Sequence, residues 1–162
     1  MGTASDFTIT FAVNSTPAEA FKAINQVNGW WSEEVKGKTD EAGSVWYYHF
    51  QDVHRCTIEV AELIPGKKVV WNVLDNHFKF TNDTNEWIGN TIVFDIAERD
   101  GKTEITFTQK GLTPAYECYE ICEGAWTNYL ADSLKKFIET GKGRPNAAGK
   151  PRTEYEEQVM AR

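Results

Sequence analysis

Methionine and leucine are scarce in this 162-residue chain, with two Met and five Leu. Cysteine is scarce too. The three thiols, Cys56, Cys118 and Cys122, are an odd number and do not form the framework of a small secreted disulfide domain. No stretch approaches the roughly 18 uninterrupted apolar residues that a membrane span requires. Residues 1–6 carry neither a charged nor an apolar leader segment, so a secretory signal is not expected and a reducing cytoplasm is. Basic charge is also short, at 17 Lys and Arg against 24 Asp and Glu, a net charge of −7. Phosphate backbones are bound by clustered Lys and Arg, and no cluster precedes residue 141, so nucleic acid is not an expected partner. Three catalytic signatures are missing as well: the GxSxG nucleophile elbow, the GxxxxGK[ST] phosphate loop and a GxGxxG after a strand.

What the chain has instead is rings. Six Trp, six Tyr and nine Phe supply apolar mass suited to strands, and rings at this density can line a cavity as well as fill a core. The length fits one domain with a real core.

Periodicity sets the order of elements. Phe7, Ile9, Phe11 and Val13 alternate with polar or small residues, predicting a first strand with one buried face. Thr16 as cap, Pro17 at the first helical position and Glu19 in the first turn predict a short helix ending near Asn25. A second helical turn and a loop occupy residues 26–44. Strands are predicted over 44–50, 54–63, 68–74, 86–98 and 102–110, and Asp100-Gly101 is a hairpin signal. From residue 115 to 140, Tyr119, Cys122, Trp126, Tyr129, Leu130, Leu134 and Phe137 recur at helical spacing, predicting a helix of about 40 Å. Residues 142–162, with five basic and three acidic side chains, are expected to form a mobile or weakly docked tail beyond a domain of residues 6–141. Strands in a run with segregated helices indicate an α+β fold: an antiparallel sheet of six or seven strands around the long helix.

The chain resembles the START-like, or SRPBCC, superfamily with its helix-grip fold, and within it the bacterial homologues of the ninety-kilodalton heat-shock-protein ATPase activator. The resemblance is carried by Phe7-Thr8-Ile9 with Ser15-Thr16-Pro17-Ala18-Glu19-Ala20-Phe21, by Trp30-Trp31, and by Ile64-Pro65-Gly66-Lys67-Lys68-Val69-Val70-Trp71. It continues through Thr103-Glu104-Ile105-Thr106-Phe107-Thr108-Gln109-Lys110-Gly111-Leu112 and Glu123-Gly124-Ala125-Trp126 with Leu130, Ser133, Leu134 and Lys135. It implies a cavity between sheet and long helix that takes a small hydrophobic or amphipathic molecule. The activator itself is resembled through its C-terminal domain.

Candidate residues for that cavity follow from the rings and the polar groups among them. Trp30 and Trp31 precede Glu33-Glu34 in the segment that would close one mouth; adjacent rings pointing different ways would make one a lid and the other a cover for the sheet edge, or set one to stack on a ligand. Tyr47 and His49 share one strand face, Trp46, Tyr48 and Phe50 the other, and both are ring-rich, so the sequence leaves the inward face open. An inward His49 would be a neutral general base; a hydrogen-bonded strand histidine is the alternative. Tyr119, Trp126 and Tyr129, with Trp71 and Trp87, would form aromatic walls, and Asn72 and Asn90 would offer polar tips. Cys118 and Cys122 lie one helical turn apart and read as buried thiols. His54 and Cys56 share a face without a third ligand, so no metal and no cofactor is expected. The leading function is binding of a small hydrophobic or aromatic ligand. A cyclase- or hydrolase-like enzyme using a cavity His or Tyr, and a co-chaperone-like module, are the alternatives; a homodimer is compatible with each.

Overall fold

In the computed structural model, residues 6–50, 54–79, 81–82 and 85–145 are described. Strand β1 (Phe7–Val13) leads into helix α1 (Pro17–Asn25), and a 3-10 turn (Val27–Gly29) follows. Next come β2 (Val35–Lys36), β3 (Val45–Phe50), β4 (His54–Ile64), β5 (Lys68–Phe78), β6 (Thr91–Arg99) and β7 (Lys102–Lys110). One antiparallel sheet has the order β1-β7-β6-β5-β4-β3-β2. The chain thus meanders from β2 to β7, and β1 closes the far edge beside β7.

The first helix forms as its sequence dictates. Thr16 Oγ1 accepts the Glu19 N–H at 3.1 Å while Glu19 Oε1 accepts the Thr16 N–H at 2.9 Å, a complete capping box with Pro17 in the first turn. At the β6–β7 hairpin, Asp100 and Gly101 both have positive φ, 53° and 81°, as a two-residue turn matched to strand twist requires.

Strand β5 is longer than its pattern suggests. Val69, Trp71 and Val73 face inward, and then Asn76 and Phe78 do. The alternation changes phase because Leu74 is an extra residue: Thr57 pairs with Asp75 and Ile58 with Val73, a bulge that leaves Leu74 exposed. A strict period of two ends the strand at that point, and the bulge carries it four residues further. By contrast, β6 begins at Thr91 rather than residue 86, because residues 85–89 form turns that bury Trp87.

The C-terminal helix runs over residues 119–140, as α2 (Tyr119–Asn128), a π-helical stretch (Tyr129–Leu134) and α3 (Lys135–Thr140). At 1.5 Å per residue it is about 33 Å long, shorter than the 40 Å expected. Residues 115–118 turn instead, since Thr113 Oγ1 accepts the Ala115 N–H and its carbonyl accepts the Tyr116 N–H. The Glu86 carboxylate then accepts the N–H groups of Glu117 and Cys118, at 2.6 and 3.0 Å, and caps the helix from across the fold. In the π-helical stretch, buried Ser133 donates to the Trp30 carbonyl at 2.7 Å and accepts the Arg144 N–H at 2.7 Å. Most of the expected tail, residues 146–162, lies outside the described residues.

Candidate functional site

The 3-10 turn after α1 directs both neighbouring indoles into the space between sheet and helix, where Trp30 is fully buried and Trp31 nearly so. This corrects the expectation that the two rings diverge. Trp30 donates its Nε1–H to the Ile24 carbonyl at 3.1 Å and packs edge-on against Phe94, so it fixes the turn to the core. Trp31 is the hub of the ring cluster. It stacks on Tyr48 at 4.3 Å with the planes 21° apart, and meets Trp126 at 4.8 Å, Trp46 at 5.9 Å and Trp71 at 6.4 Å. From the helix, Trp126 continues the cluster to Phe107 and Trp87. Buried Tyr129 follows one turn later along the helix.

Two polar assemblies are built into this apolar interior. In the first, Trp126 Nε1–H donates to Gln109 Oε1 at 2.9 Å, Gln109 Nε2–H to Asn90 Oδ1 at 2.8 Å, and Asn90 Nδ2–H to the Tyr116 hydroxyl at 2.9 Å. A relay of this kind holds the helix to β7 and orients Trp126, because each buried polar atom has a partner. The second centres on His54, whose ring is enclosed by Tyr48, Phe78 and Trp87 at 5.2, 4.4 and 4.8 Å. Its Nε2 lies 2.8 Å from Asn76 Oδ1. Burial lowers its pKa from 6.5 to about 4 against the opposing effect of Asn76, and the ring is neutral at pH 7.

Several buried donors have no acceptor among the described residues: the indole N–H groups of Trp46 and Trp71 and the Nδ2 of Asn76. Buried polar groups are seldom left in this state. Cys56 and Cys122 nearby are held protonated. Burial pushes the Cys56 thiol up, and it pushes Cys122 up as well, with Cys118 2.7 Å away adding to the effect. Among the described residues no group of three His, Cys, Asp or Glu side chains could hold a metal.

The remaining candidates lie elsewhere. Trp46, Tyr48 and Phe50 are the inward residues of β3, so Tyr47 and His49 are on the outer face of the sheet. Tyr47 is 54% exposed, and His49 Nε2 sits 3.1 Å from Glu34 Oε2. His49 is therefore not an interior base. The choice of face follows from pairing: Trp46 lies opposite Ile58 and Tyr48 opposite Cys56, in a strand whose apolar set is Cys56, Ile58 and Val60. Tyr119 is partly exposed with its hydroxyl bonded to Glu123, and Asn72 bridges Glu59 and Thr91 in a polar ladder. Sequence reasoning missed half-buried His54 as a member of the ring cluster and gave Gln109 no role; the signal for both was their strand phase, shared with Cys56 and with Phe107.

The family described as activator of Hsp90 ATPase homolog 1-like protein matches residues 16–139, which is most of the chain. The chain belongs to the AHSA1 family. Its fold is accordingly START-like: an antiparallel sheet gripping a long helix. Among solved structures, the Aha1 dimer of Colwellia psychrerythraea is 23% identical with a TM-score of 0.70, over 86% of this chain and 99% of that one. SSP2350 of Staphylococcus saprophyticus is 17% identical with a TM-score of 0.66, over 88% and 98%. CalU16 of Micromonospora echinospora is 14% identical with a TM-score of 0.60, over 98% and 83%. No curated protein matches the sequence. Within the AHSA1 domain, no helix among the described residues is long and apolar enough to cross a membrane.

Proposed function

We propose that this AHSA1 domain binds a small hydrophobic or aromatic molecule between the sheet and the C-terminal helix, with no reaction assigned to it. The observation that carries this reading is the set of buried donors without acceptors, Trp46 and Trp71 Nε1–H and Asn76 Nδ2–H, inside a cluster of rings. A flat molecule with acceptor atoms at its rim would satisfy them while its faces replace ring-to-ring contacts. The rings around Trp31 are in mutual contact, so a ligand enters by parting them. Trp31 sits on the short turn after α1 rather than on the sheet, and that segment is the one to yield. Trp71, Trp126, Asn90, Cys122 and Tyr129 belong to the proposed walls, and Trp30 to their support.

A ligand that binds only the folded state raises the melting temperature with concentration. Titration with 2-naphthol and a panel of flavonoids is expected to raise Tm and quench tryptophan fluorescence saturably, with Trp126→Leu weakening both responses. Absence of any saturable change across the panel overturns the reading. Self-association is proposed as well, because the similar Colwellia protein is described as a dimer. A chaperone contact rests on the family description alone.

A further inference from the structure

The outer face of the sheet holds a recess. It has a volume of about 330 Å³, and Tyr47, His49, Arg55, Thr57, Asp75 and His77 line it together with Tyr48 and Cys56. Strand register explains how six polar or ring-bearing side chains come together. His49, Arg55 and His77 are direct cross-strand neighbours on β3, β4 and β5, and Tyr47, Thr57 and Asp75 form the next row. Within an antiparallel sheet such neighbours stand about 5 Å apart on one face. The Leu74 bulge sits beside Asp75, where a bulge bends the strand and re-aims its side chains.

One member of this recess is already engaged: His49 is held by the Glu34 carboxylate at 3.1 Å. Arg55, Tyr47, Thr57, Asp75 and His77 make no side-chain hydrogen bond or ion pair among the described residues, and His77 Nδ1 is buried without a partner. Arg55 presents several N–H donors beside His77, and guanidinium matches a carboxylate or phosphate with two parallel hydrogen bonds. The Tyr47 ring forms an apolar wall at one end. Asp75 stands diagonal to Arg55, at the other corner, where it repels a second negative charge and accepts from a hydroxyl or ammonium group. A volume near 300 Å³ is at the small end for ligand pockets.

We infer that this face binds a small organic oxyanion, a carboxylate or phosphate monoester, with its negative group on Arg55 beside His77 and its body against Tyr47. The site is independent of the interior between sheet and helix, and either can fail without the other.

Amide NMR titration of the full chain with inorganic phosphate, acetate and benzoate tests it, with chloride at matched ionic strength as the control. Saturable shifts are expected at residues 47, 49, 55, 57, 75 and 77 and not with chloride. Response to phosphate alone or to the carboxylates alone assigns the class of oxyanion. Arg55→Gln, an exposed substitution, is expected to weaken binding at least tenfold with Tm unchanged, while Asp75→Asn leaves affinity equal or severalfold tighter. Shifts that match those of chloride, shifts that persist in Arg55→Gln, or none up to tens of millimolar overturn the inference.

Discussion

Gln109 shows how much one side chain carries here. Fully buried on β7, it accepts from Trp126 and donates to Asn90, so it joins helix, β7 and the loop before β6. Replacing it by leucine of similar volume leaves the Trp126 N–H and the Asn90 carbonyl both buried and unpaired. Each orphaned group costs about 1–3 kcal/mol, so Gln109→Leu is expected to lower stability by about 2–6 kcal/mol in urea unfolding. A loss under about 1 kcal/mol would show that the relay is not what holds Trp126. Composition and alternation placed rings on strand faces and on the long helix, yet gave no sign of this relay: its members, Asn90, Gln109, Tyr116 and Trp126, are joined only by the folded geometry. The opposite error concerns His49. Both faces of β3 are ring-rich, and only the partner strand, with apolar Cys56, Ile58 and Val60, decides which is inside.

Elements were legible wherever a local device marks them. Thr16, Pro17 and Glu19 define α1, and Asp100-Gly101 defines the β6–β7 turn, because caps and turns depend on residues a few positions apart. The start of the C-terminal helix depends instead on Glu86, about thirty residues earlier, whose carboxylate caps the N–H groups of Glu117 and Cys118. No local pattern reveals such a cap, and the helix was expected four residues too early. Glu86→Ala removes both acceptors and the negative charge at the helix start. A loss of about 1–2 kcal/mol is expected, with hydrogen exchange accelerated over residues 117–122. Unchanged exchange there would mean that the end of the helix is held by packing on Cys118 and Cys122 alone. The Leu74 bulge taught the same lesson on a strand: an extra residue reverses the alternation, and sequence periodicity stops where the strand does not.

For the molecule as a whole, the interior imposes a pH dependence on folding. His54 has a folded pKa of about 4 against 6.5 when exposed, with desolvation as the cause. Below pH 6.5 the unfolded chain takes up a proton that the folded chain refuses, so stability falls as pH drops from 6.5 to 4 and levels off below. The drop corresponds to about 3 kcal/mol. Glu139 adds a second window with a different origin. Its carboxylate accepts the Asn14 N–H at 2.8 Å and holds Lys135 at 3.1 Å, which lowers its pKa below 4.5. Its contribution is present above 4.5 and is lost as pH falls through the lowered value. Urea unfolding at successive pH values should therefore show two acid limbs. His54→Gln, which keeps an amide to meet Asn76, is expected to flatten the limb between pH 6.5 and 4 and to leave the lower one intact. If the upper limb survives that substitution, the charge excluded by the ring cluster is not that of His54.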